Sequence, residues 1–518
     1  MTCATFQARP GHQEAGETSV IIAHDLGTTG NKASLHTDDG RLVTAVTVRY
    51  DTDFRAGGIA EQDPETWWRA VCRAGRELLA RSGTPPERIG AIGFSGQMMG
   101  AVLLDRAHRP VRPAMIWADH RSTEQAGTLA AELGEERAYR LLGHRIHPTY
   151  SLAKVMWVRD HEPRVFRRVA HMCLAKDYIV QRLTGTLVTD PSDASSTNAF
   201  DQRTGTWSRA VLDAAAVDPG LLPDIAESTT VVGRVRARAA EEAGMPAGVP
   251  VVIGGGDGPL AALGAGVLTP QDGAYTYLGS SSWISMSARR PLYDPARRTM
   301  TFNHVLPGHY VPTATMQAGG ASLEWIAQVL RPDGGPERIA RTLARIDDAD
   351  TTGLYFLPHL LGERSPYWNA DARGAFVGLS RHHGPAHLAK AVLEGVAFNL
   401  ATCVGAFREA GHPVDRVDAI GGGAASDLWL RVLADVWGAR IRRRSIVEEA
   451  NSLGAAVTAA VGSGLVDGFE VARELSHVQA EFTPSADRHR DYTARHREFL
   501  DAYRSLEPWF ANSHPLDN

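Results

Sequence analysis

The chain has 518 residues, a length at which one hydrophobic core is usually divided between two or more domains. Its formal net charge is −5, and the charged residues, 22% of the total, are spread along the chain. A nucleic-acid-binding protein would show a basic patch, so this composition argues against nucleic acid as a partner. The four cysteines, Cys3, Cys72, Cys173 and Cys403, are far apart and form no CxxC pair, as is typical of a reduced, cytoplasmic compartment.

Membrane and targeting signals are missing from the sequence pattern. Residues 1–18 lack the continuous apolar segment of a secretion signal, and no later segment offers about 18 uninterrupted apolar residues. We therefore expect a disordered tail at 1–18 and no membrane partner.

The first elements in chain order are three strands and a helix. An apolar run at 19–23 is followed by candidate strands at 32–37 and 42–48. The segment DPETWWRAVCRAGRELLA then offers Asp63 as an N-cap and Pro64 at the first helical position. Further on, ERIGAIGFSG and GVPVVIGGGDG each have the pattern of a short buried strand that ends in glycines. This alternation predicts a layered α/β fold.

A short motif recurs in the two halves of the chain. Leu26-Gly27-Thr28-Thr29 is echoed about 250 residues later by Leu278-Gly279-Ser280-Ser281, again at the end of a candidate strand. In both copies, hydroxyl side chains lie beside a glycine turn, where the backbone can approach a ligand closely. We therefore expect two facing domains that each contribute one glycine-hydroxyl hairpin.

Asp25 stands immediately before the first of these hairpins, in the stretch HDLGTTGNK. Small hydroxyl residues flanked by glycine suit phosphate oxygens, because they offer N–H and O–H donors without bulk. An aspartate beside them could hold the Mg²⁺ that bridges phosphates. The alternative is that Asp25 caps a turn and that Thr28 and Thr29 are ordinary hairpin residues. The motif alone leaves both interpretations open.

A second candidate carboxylate, Asp257, follows three glycines in GGGDGPLAALG at 254–264. A strand at 251–253 precedes it, and Pro259 is placed to open a helix. One interpretation is that Asp257 is a helix N-cap. The three glycines favour another, since they clear side chains from around a carboxylate that acts as a base toward a substrate hydroxyl.

A third glycine cluster, at 421–423, joins a strand to a helix in AIGGGAASDLWLRVLADVWG. The missing side chains would let adenine or ribose lie on the backbone, although tight helix-strand packing explains the same glycines equally well. No GxxxxGK[ST], HExxH or GxSxG motif occurs, which argues against zinc and nucleophilic hydrolases. His382 and His383 lack neighbouring cysteine or carboxylate partners and are expected to be exposed loop residues.

Together these motifs resemble the FGGY family of carbohydrate kinases, in the superfamily of actin, Hsp70 and hexokinase-like ATPases. The resemblance extends from about residue 19 to residue 480 and includes, in order, EQDPETWW, SGQMMG, WADHR, LAKDYIVQRLTG, TDPSDAS, AGGASLEW and FLPHLLGERSPYWN. Residues 374–394 fit the family's second signature throughout. The first signature is matched only in part by SLAKVMWVRDH, where Lys154 and Trp157 agree and Thr149 does not.

The resemblance implies an α/β, two-domain, ribonuclease H-like ATPase fold with a central cleft. We expect an N-terminal domain at 19–265, with the sugar site and the first phosphate hairpin. A C-terminal domain at 266–485 would hold the nucleotide, and a helical extension and tail would follow at 486–518.

The resemblance also implies a reaction, the ATP-dependent phosphorylation of a terminal hydroxyl of a ketopentose or similar polyol, with D-xylulose as the leading substrate. Asp257 is expected to be the general base and Asp25 to organise Mg²⁺. The residues expected at the nucleotide and its phosphates are Thr28, Thr29, Lys32, Gly279, Ser280, Gly320, Gly423 and Asp427. The residues expected at the sugar are Met98, Met99 and Asp119.

The sequence departs from the related ketopentose kinases on the sugar side. Met99 stands where GQMHG has histidine, Gly258 stands where GGGDN has asparagine, and WNDGR becomes WADHR at 117–121. Because methionine is an apolar filler, the loss of a histidine donor should disfavour some arrangement of hydroxyls. Ribulose, L-xylulose and erythritol are therefore alternative substrates.

Two functions of other classes compete with the kinase. A sugar-responsive binding protein on an inactive kinase scaffold would need neither Asp25 nor Asp257. A protein machine like actin or Hsp70 would have no use for SGQMMG and WADHR. ATP turnover that depends on a small sugar or polyol separates the kinase from both. The sequence is compatible with a homodimer but does not define the oligomeric state.

Overall fold

The computed structural model describes residues 19–333, 337–343, 346, 349–446 and 449–512. The tail expected at 1–18 lies outside the described residues. The strands of the first half are β1 Val20–Leu26, β2 Gly30–Thr37, β3 Leu42–Arg49, β4 Asp53–Arg55, β5 Ile59–Gln62, β6 Ile89–Gly96, β7 Val102–Leu104, β8 Ala114–Met115, β9 His171–Cys173, β10 Val188–Thr189, β11 Phe200–Asp201, β12 Thr206–Trp207, β13 Asp224–Ile225, β14 Val231–Arg234, β15 Pro250–Val252 and β16 Gly255–Gly256. Those of the second half are β17 Ala274–Leu278, β18 Ser282–Met286, β19 Met300–Asn303, β20 Tyr310–Met316, β21 Tyr355–Leu357, β22 Ala375–Val377, β23 Arg416–Ile420, β24 Arg440–Arg444 and β25 Val478–Phe482.

The helices surround the sheets and connect the two halves. They are α1 Pro64–Ser82, α2 Thr123–Leu133, α3 Glu135–Leu142, α4 Ser151–His161, α5 Pro163–Phe166, α6 Ala175–Thr184, α7 Pro191–Ala194, α8 Arg209–Ala215, α9 Ala237–Ala243, α10 Asp257–Gly264, α11 Gly320–Leu330, α12 Arg338–Leu343, α13 Pro385–Glu409, α14 Asp427–Trp437, α15 Ala450–Gly462, α16 Val471–Leu475 and α17 Ala486–Asn512.

The two halves of the chain are built on sheets of the same topology. The first sheet has the order β14-β15-β6-β1-β2-β3, with β16 paired to β6, and the second has the order β19-β20-β18-β17-β23-β24-β25. In each, an antiparallel hairpin, β1–β2 or β17–β18, lies beside a parallel neighbour of its first strand, β6 or β23. The recurrent motif at the two hairpin turns is therefore part of a duplicated fold. This arrangement confirms the α/β two-domain prediction.

The first helix forms as its sequence predicts. Asp63 caps α1 by accepting a hydrogen bond from the N–H of Glu65, and Pro64 lies in the first turn. Gly83 ends the helix in the left-handed conformation, with φ of 65°. The apolar face of α1, which includes Trp67 and Val71, is buried against β2 and β3.

The second half contains a long apolar core helix, α13. It is long and apolar enough to cross a membrane, but most of its apolar window is buried inside the protein. The terminal helix α17 packs against α13 and α14 and covers this core. Cys72, Cys173 and Cys403 are buried and form no disulfide.

Helices α10 and α15 join the two halves through very close contacts. Although α15 belongs to the second half of the chain, it packs against β1 and β6 of the first sheet. A Cβ atom added to Gly264 would lie 1.9 Å from the carbonyl oxygen of Ala450, and one added to Gly454 would lie 2.2 Å from that of Leu260. Only glycine permits this approach, which places Asn451, at the start of α15, beside the first sheet.

We predict that Gly264→Ala destabilises the protein by about 1–3 kcal/mol, because the added methyl group overpacks the contact with Ala450. Gly127→Ala is the matched control, since a Cβ atom there would have no neighbour within 4 Å and Gly127 lies inside α2. That control should gain about 0.5–1 kcal/mol from helix propensity. Urea unfolding of the three proteins tests this, and an unchanged midpoint for Gly264→Ala would contradict it.

Candidate active site

The first sheet brings Asp25 and Asp257 to one edge. In the parallel register, Asp25 of β1 pairs with Ser95 of β6, and Ser95 pairs in turn with Gly255 of β16, two residues before Asp257. The carboxyl ends of adjacent parallel strands meet at the same edge of a sheet, where ligands bind in open α/β folds. The two carboxylates therefore flank β6 at the expected position of a site.

The environment of these carboxylates favours their protonated forms. Burial raises the pKa of Asp257 to about 7, and the negative charge of Asp25 adds to this effect. Burial also raises the pKa of Asp25, against the opposing influence of Ser95, Lys32 and Asn451. Ser95 Oγ donates a hydrogen bond of 2.7 Å to Asp25 Oδ1. A carboxylate with a pKa near 7 is suited to accept a proton from a substrate at neutral pH.

The backbone around Asp257 corrects one interpretation of the sequence. Gly256 is the N-cap of α10, and Asp257 is the first helical residue. Gly254 has φ of 72°, and a Cβ atom on it would lie 1.8 Å from the carbonyl oxygen of Phe94. A Cβ atom on Gly256 would lie 2.7 Å from Met98 Cγ. The glycines thus permit close contacts with β6 and Met98, rather than clearing open space around the carboxylate.

The first hairpin turn lies next to Asp25. Thr29 is exposed, and Lys32 lies opposite Asp25 on β2. Thr28 is held in place, since its Oγ1 accepts a hydrogen bond of 2.8 Å from Trp117 Nε1 and its carbonyl oxygen accepts one of 2.6 Å from Gln62 Nε2. The hairpin is therefore connected directly to the WADHR loop.

The second hairpin turn, at Gly279 and Ser280, is the structural equivalent of the first. Helix α11 begins against it, because the N–H of Gly320 donates a hydrogen bond of 2.7 Å to the carbonyl of Gly279. A Cβ atom on Gly320 would lie 2.5 Å from that same oxygen, so this position requires glycine. The hairpin stem extends to the residue after Asp257, where the Tyr275 hydroxyl donates a hydrogen bond of 2.8 Å to the carbonyl of Gly258.

The third glycine cluster has a mixed role. A Cβ atom on Gly423 would lie 2.5 Å from the ring of Trp429, so packing explains this glycine. Gly422 is exposed, and nothing lies within 4 Å of a Cβ atom added to it. Asp427 is also exposed, in the first turn of α14, and accepts a hydrogen bond of 2.6 Å from Arg443. The open surface that the sequence suggested is at Gly422.

Met98 and Met99 form part of an apolar floor beside Asp257. The side chains of this floor come from both halves of the chain: Met98, Met99, Trp117, Tyr150, Met300, Phe302 and Trp368. Met99 has φ of 67°, a left-handed conformation that is uncommon for residues other than glycine. Its N–H donates a hydrogen bond of 3.1 Å to Ser196 Oγ, and its carbonyl accepts one of 2.9 Å from Lys154 Nζ. These two bonds hold Met99 in place.

Asp119 is held inside the WADHR loop. It has no exposed surface, and its Oδ2 accepts hydrogen bonds from the N–H of Ala60 at 2.8 Å and from Arg121 Nε at 3.0 Å. Its carboxylate orders the WADHR loop, and its assignment to the sugar stays a prediction. The next residue, His120, packs edge-on against His147, with ring centroids 5.8 Å apart.

Arg364, in the segment GERSPYWN, lies at the apolar floor, a position that the sequence does not predict. Arg364 comes from the second half of the chain and is 8% exposed. Its Nη2 lies 3.9 Å from Met99 Sδ and 3.7 Å from Met300 Sδ. Its charge opposes the rise in the pKa of Asp257, so it lies near that carboxyl group. Nothing in the local sequence indicates a contact with residues so distant in the chain.

A buried ionic cluster that the sequence motifs do not indicate lies next to the loop that carries Asp257. Lys176 Nζ lies 2.6, 2.9 and 3.3 Å from carboxylate oxygens of Asp177, Asp190 and Asp193. Ser192 Oγ donates a hydrogen bond of 2.5 Å to Asp190 and accepts one of 3.0 Å from the N–H of Gly256. LAKDYIVQRLTG and TDPSDAS therefore meet in one network that supports the loop carrying Asp257.

We predict that Ser192→Ala lowers kcat about ten- to a hundredfold, since the loop before Asp257 loses its anchor and small misplacements of catalytic groups are costly. The KM for the nucleotide should stay within about twofold, because the contact is on the sugar side. Ser287→Ala is the control, as this buried serine donates a hydrogen bond of 2.7 Å to the carbonyl of Leu268 instead. Equal values of kcat for Ser192→Ala and Ser287→Ala would contradict the proposed positioning role of Ser192.

The duplicated sheets match the fold expected of a phosphotransferase with an alcohol acceptor, and two carboxylates lie at one edge of the first sheet. Family models agree: the N-terminal domain of the FGGY family of carbohydrate kinases matches residues 20–264, and its C-terminal domain matches residues 274–463. The chain belongs to the FGGY family of carbohydrate kinases.

Individual relatives extend over nearly the whole chain. The xylulose kinase of Escherichia coli (strain K12) is 34% identical over 493 residues, which cover 95% of this chain and 100% of that protein. The structure of a gluconate kinase from Lactobacillus acidophilus matches with a TM-score of 0.90 at 26% identity, covering 96% of this chain and 100% of that one. The structure of a ligand-bound xylulose kinase from Lactobacillus acidophilus matches with a TM-score of 0.89 at 26% identity, covering 95% and 99%.

Proposed function

We propose that this chain transfers the γ-phosphoryl group of ATP to the terminal hydroxyl of D-xylulose, forming D-xylulose 5-phosphate. The observation that carries this proposal is the position of Asp257, a carboxylate with a pKa raised to about 7, between Asp25 and the apolar floor at Met98. Membership of a carbohydrate kinase family and the similarity to xylulose kinases support the choice of substrate.

Asp257 acts as the general base in this proposal. An alcohol is a poor nucleophile, and phosphoryl transfer depends mainly on alignment and on stabilisation of charge. As the bond forms between the sugar oxygen and the γ-phosphorus, the hydroxyl proton passes to a carboxylate oxygen of Asp257, and ADP leaves. The Gly258 N–H donates a hydrogen bond of 2.8 Å to Asp257 Oδ1 and fixes the orientation of the carboxylate.

Asp25 is suited to bind a Mg²⁺ ion that the phosphates of the nucleotide would also bind. Proteins usually bind Mg²⁺ through one or two carboxylates, while waters and phosphate oxygens complete its shell. In the part of the chain that the structure describes, no group of three or more His, Cys, Asp or Glu side chains forms a metal cage, and Asp25 supplies one carboxylate of such a minimal set. When bound, the ion would neutralise charge on the phosphates.

The two hairpin turns would receive the phosphates between them. Thr28, Thr29 and Lys32 would contribute hydroxyl, N–H and ammonium donors from the first half, and Gly279 and Ser280 would close from the second. The nucleotide would lie on the open surface near Gly422. The residues that we place around it are Gly320, Gly423 and Asp427.

The direct test is ADP release with ATP, Mg²⁺ and a panel of D-xylulose, D-ribulose, L-xylulose and erythritol. We expect D-xylulose to give the highest kcat/KM. Phosphorus NMR of the product should show coupling of the phosphorus to a terminal CH₂ group. ADP release that does not depend on any member of the panel would reject the kinase for these acceptors.

We predict that Asp257→Asn lowers sugar-dependent turnover about 10²- to 10⁴-fold, because the variant lacks the base. ATP affinity should be nearly unchanged, since the substitution does not alter the two hairpin turns. Asp63→Asn is the control, because asparagine also caps a helix and can keep the hydrogen bond from the N–H of Glu65. Turnover by Asp257→Asn above about half of the wild-type rate would exclude the assignment.

We predict that kcat/KM rises with pH through about 7. The pKa of Asp257 in the folded protein is about 7. Only the deprotonated carboxylate, which predominates above this pH, can accept the hydroxyl proton. Activity is therefore lost as the pH falls through this value. The pH dependence of kcat/KM reports the free enzyme, and an acid limb centred near pH 4, the usual range for aspartate, would show that Asp257 is not perturbed in this way.

A further inference from the structure

Asp257 is flanked by glycines, so its immediate neighbours have no side chains that could fix the carboxylate. Gly256 is the N-cap of α10 and offers no side-chain cap, and Gly258 follows Asp257 in the first turn. Pro259, the next residue, has no N–H to donate. Because glycine loses more conformational freedom on folding than other residues, this segment needs contacts from elsewhere to be held in one conformation.

Two hydrogen bonds hold this segment, one on each side of Asp257. Before it, Ser192 Oγ accepts a hydrogen bond of 3.0 Å from the N–H of Gly256. After it, the Tyr275 hydroxyl donates a hydrogen bond of 2.8 Å to the carbonyl of Gly258. Ser192 belongs to the first half of the chain, whereas Tyr275 lies on β17 of the second half. Asp257 is therefore held from both halves.

The Tyr275 hydroxyl is oriented toward Gly258 by its other neighbours. Trp283 Nε1 donates a hydrogen bond of 3.0 Å to the Tyr275 oxygen, and an indole N–H can donate but not accept. Ser285, the cross-strand neighbour of Tyr275 on β18, also forms a hydrogen bond with the hydroxyl. Burial raises the pKa of Tyr275, and the charge of Asp257 acts in the same direction, so the hydroxyl keeps its proton.

The aromatic rings around this hydroxyl connect it to the second hairpin turn. The ring of Trp283 stacks on that of Tyr277, with centroids 4.2 Å apart and planes inclined by 10°. Tyr277 lies against the turn itself, because a Cβ atom added to Gly279 would lie 2.3 Å from Tyr277 Cε1. The ring of Tyr275 packs in one buried cluster with alanines of α10. A continuous set of contacts therefore leads from the turn at Gly279 to the start of α10.

We propose that Tyr275 is a positioning residue for Asp257 and that Trp283 orients its hydroxyl. The bond from Tyr275 restricts rotation of Gly258, whose own N–H donates a hydrogen bond of 2.8 Å to Asp257 Oδ1. The turn that we place at the phosphates and the carboxylate that accepts the proton are thereby held at a fixed separation, which phosphoryl transfer requires. This inference rests on the proposed function of Asp257.

The first test is Tyr275→Phe, which removes the hydroxyl and keeps the ring. We expect kcat with the preferred acceptor to fall about tenfold, since small misplacements of catalytic groups are costly. The KM for ATP should stay within about twofold, because the variant changes no residue of the two turns. Tyr492→Phe is the matched control, as this buried tyrosine donates a hydrogen bond of 2.8 Å to Glu394 Oε1 in the core of the second half. A wild-type kcat in a folded Tyr275→Phe protein would overturn the proposal.

Combined variants show whether Tyr275 acts through Asp257. In the Asp257→Asn background, Tyr275→Phe should lower the residual turnover by less than about twofold, since no carboxylate is left to position. A tenfold loss in both backgrounds would overturn the positioning role. Trp283→Phe should lower kcat by a smaller factor than Tyr275→Phe, and the two together should be no worse than Tyr275→Phe, because the indole acts through the hydroxyl. Losses that multiply would overturn the role of Trp283.

Hydrogen exchange separates this inference from the proposed function, because it needs no turnover. Mass spectrometry of a peptide that spans 255–264 should show exchange about threefold faster or more in Tyr275→Phe than in the wild type or Tyr492→Phe, since the first turn of α10 loses a hydrogen bond. Sugar-dependent ADP release with unchanged exchange in Tyr275→Phe would reject the positioning role alone. Faster exchange in a protein without sugar-dependent ADP release would reject the kinase and still support Tyr275 as the residue that holds this turn.

Discussion

The structure depends on holding two carboxylates, Asp25 and Asp257, at one edge of the first sheet. Burial, and to a smaller extent the negative charge of Asp25, raise the pKa of Asp257 to about 7, so its carboxyl group exchanges a proton near neutral pH. This arrangement persists because other elements oppose the repulsion. Ser95 of β6 donates to Asp25, and Asn451 of α15 lies 3.4 Å from the same oxygen. The second half of the chain thus reaches the carboxylate pair directly.

The position of Asp257 also links the apolar floor to the buried core. The loop before Asp257 approaches β6 and Met98 through glycines and is anchored by Ser192, which belongs to the ionic cluster around Lys176. Burying a lysine with three carboxylates costs free energy of folding unless their hydrogen bonds are satisfied. Such a cluster fixes one arrangement of its side chains more than it stabilises the folded protein. We infer that this cluster sets the distance between the base and the substrate.

Much of this architecture could be predicted from the sequence, because it follows from local patterns. The hairpin strands, the cap at Asp63 and the positions of Asp25 and Asp257 at strand ends are all visible in hydrophobic periodicity and turn residues. The contact between Arg364 and Met99 could not be predicted, because the two residues are 265 positions apart in the sequence. The hydrogen bonds of Asp119 within the WADHR loop could not be predicted either, because a motif shows which residues recur and not which way a side chain points.

The account can be tested most directly by a crystal structure with D-xylulose and a non-hydrolysable ATP analogue. It requires the terminal hydroxyl of the sugar to lie within about 2.6–3.2 Å of an Asp257 oxygen, with the γ-phosphate in line between the two hairpin turns. A sugar bound with that hydroxyl far from Asp257, or a γ-phosphate that contacts neither turn, would contradict the central claim that Asp257 is the base of a two-domain kinase.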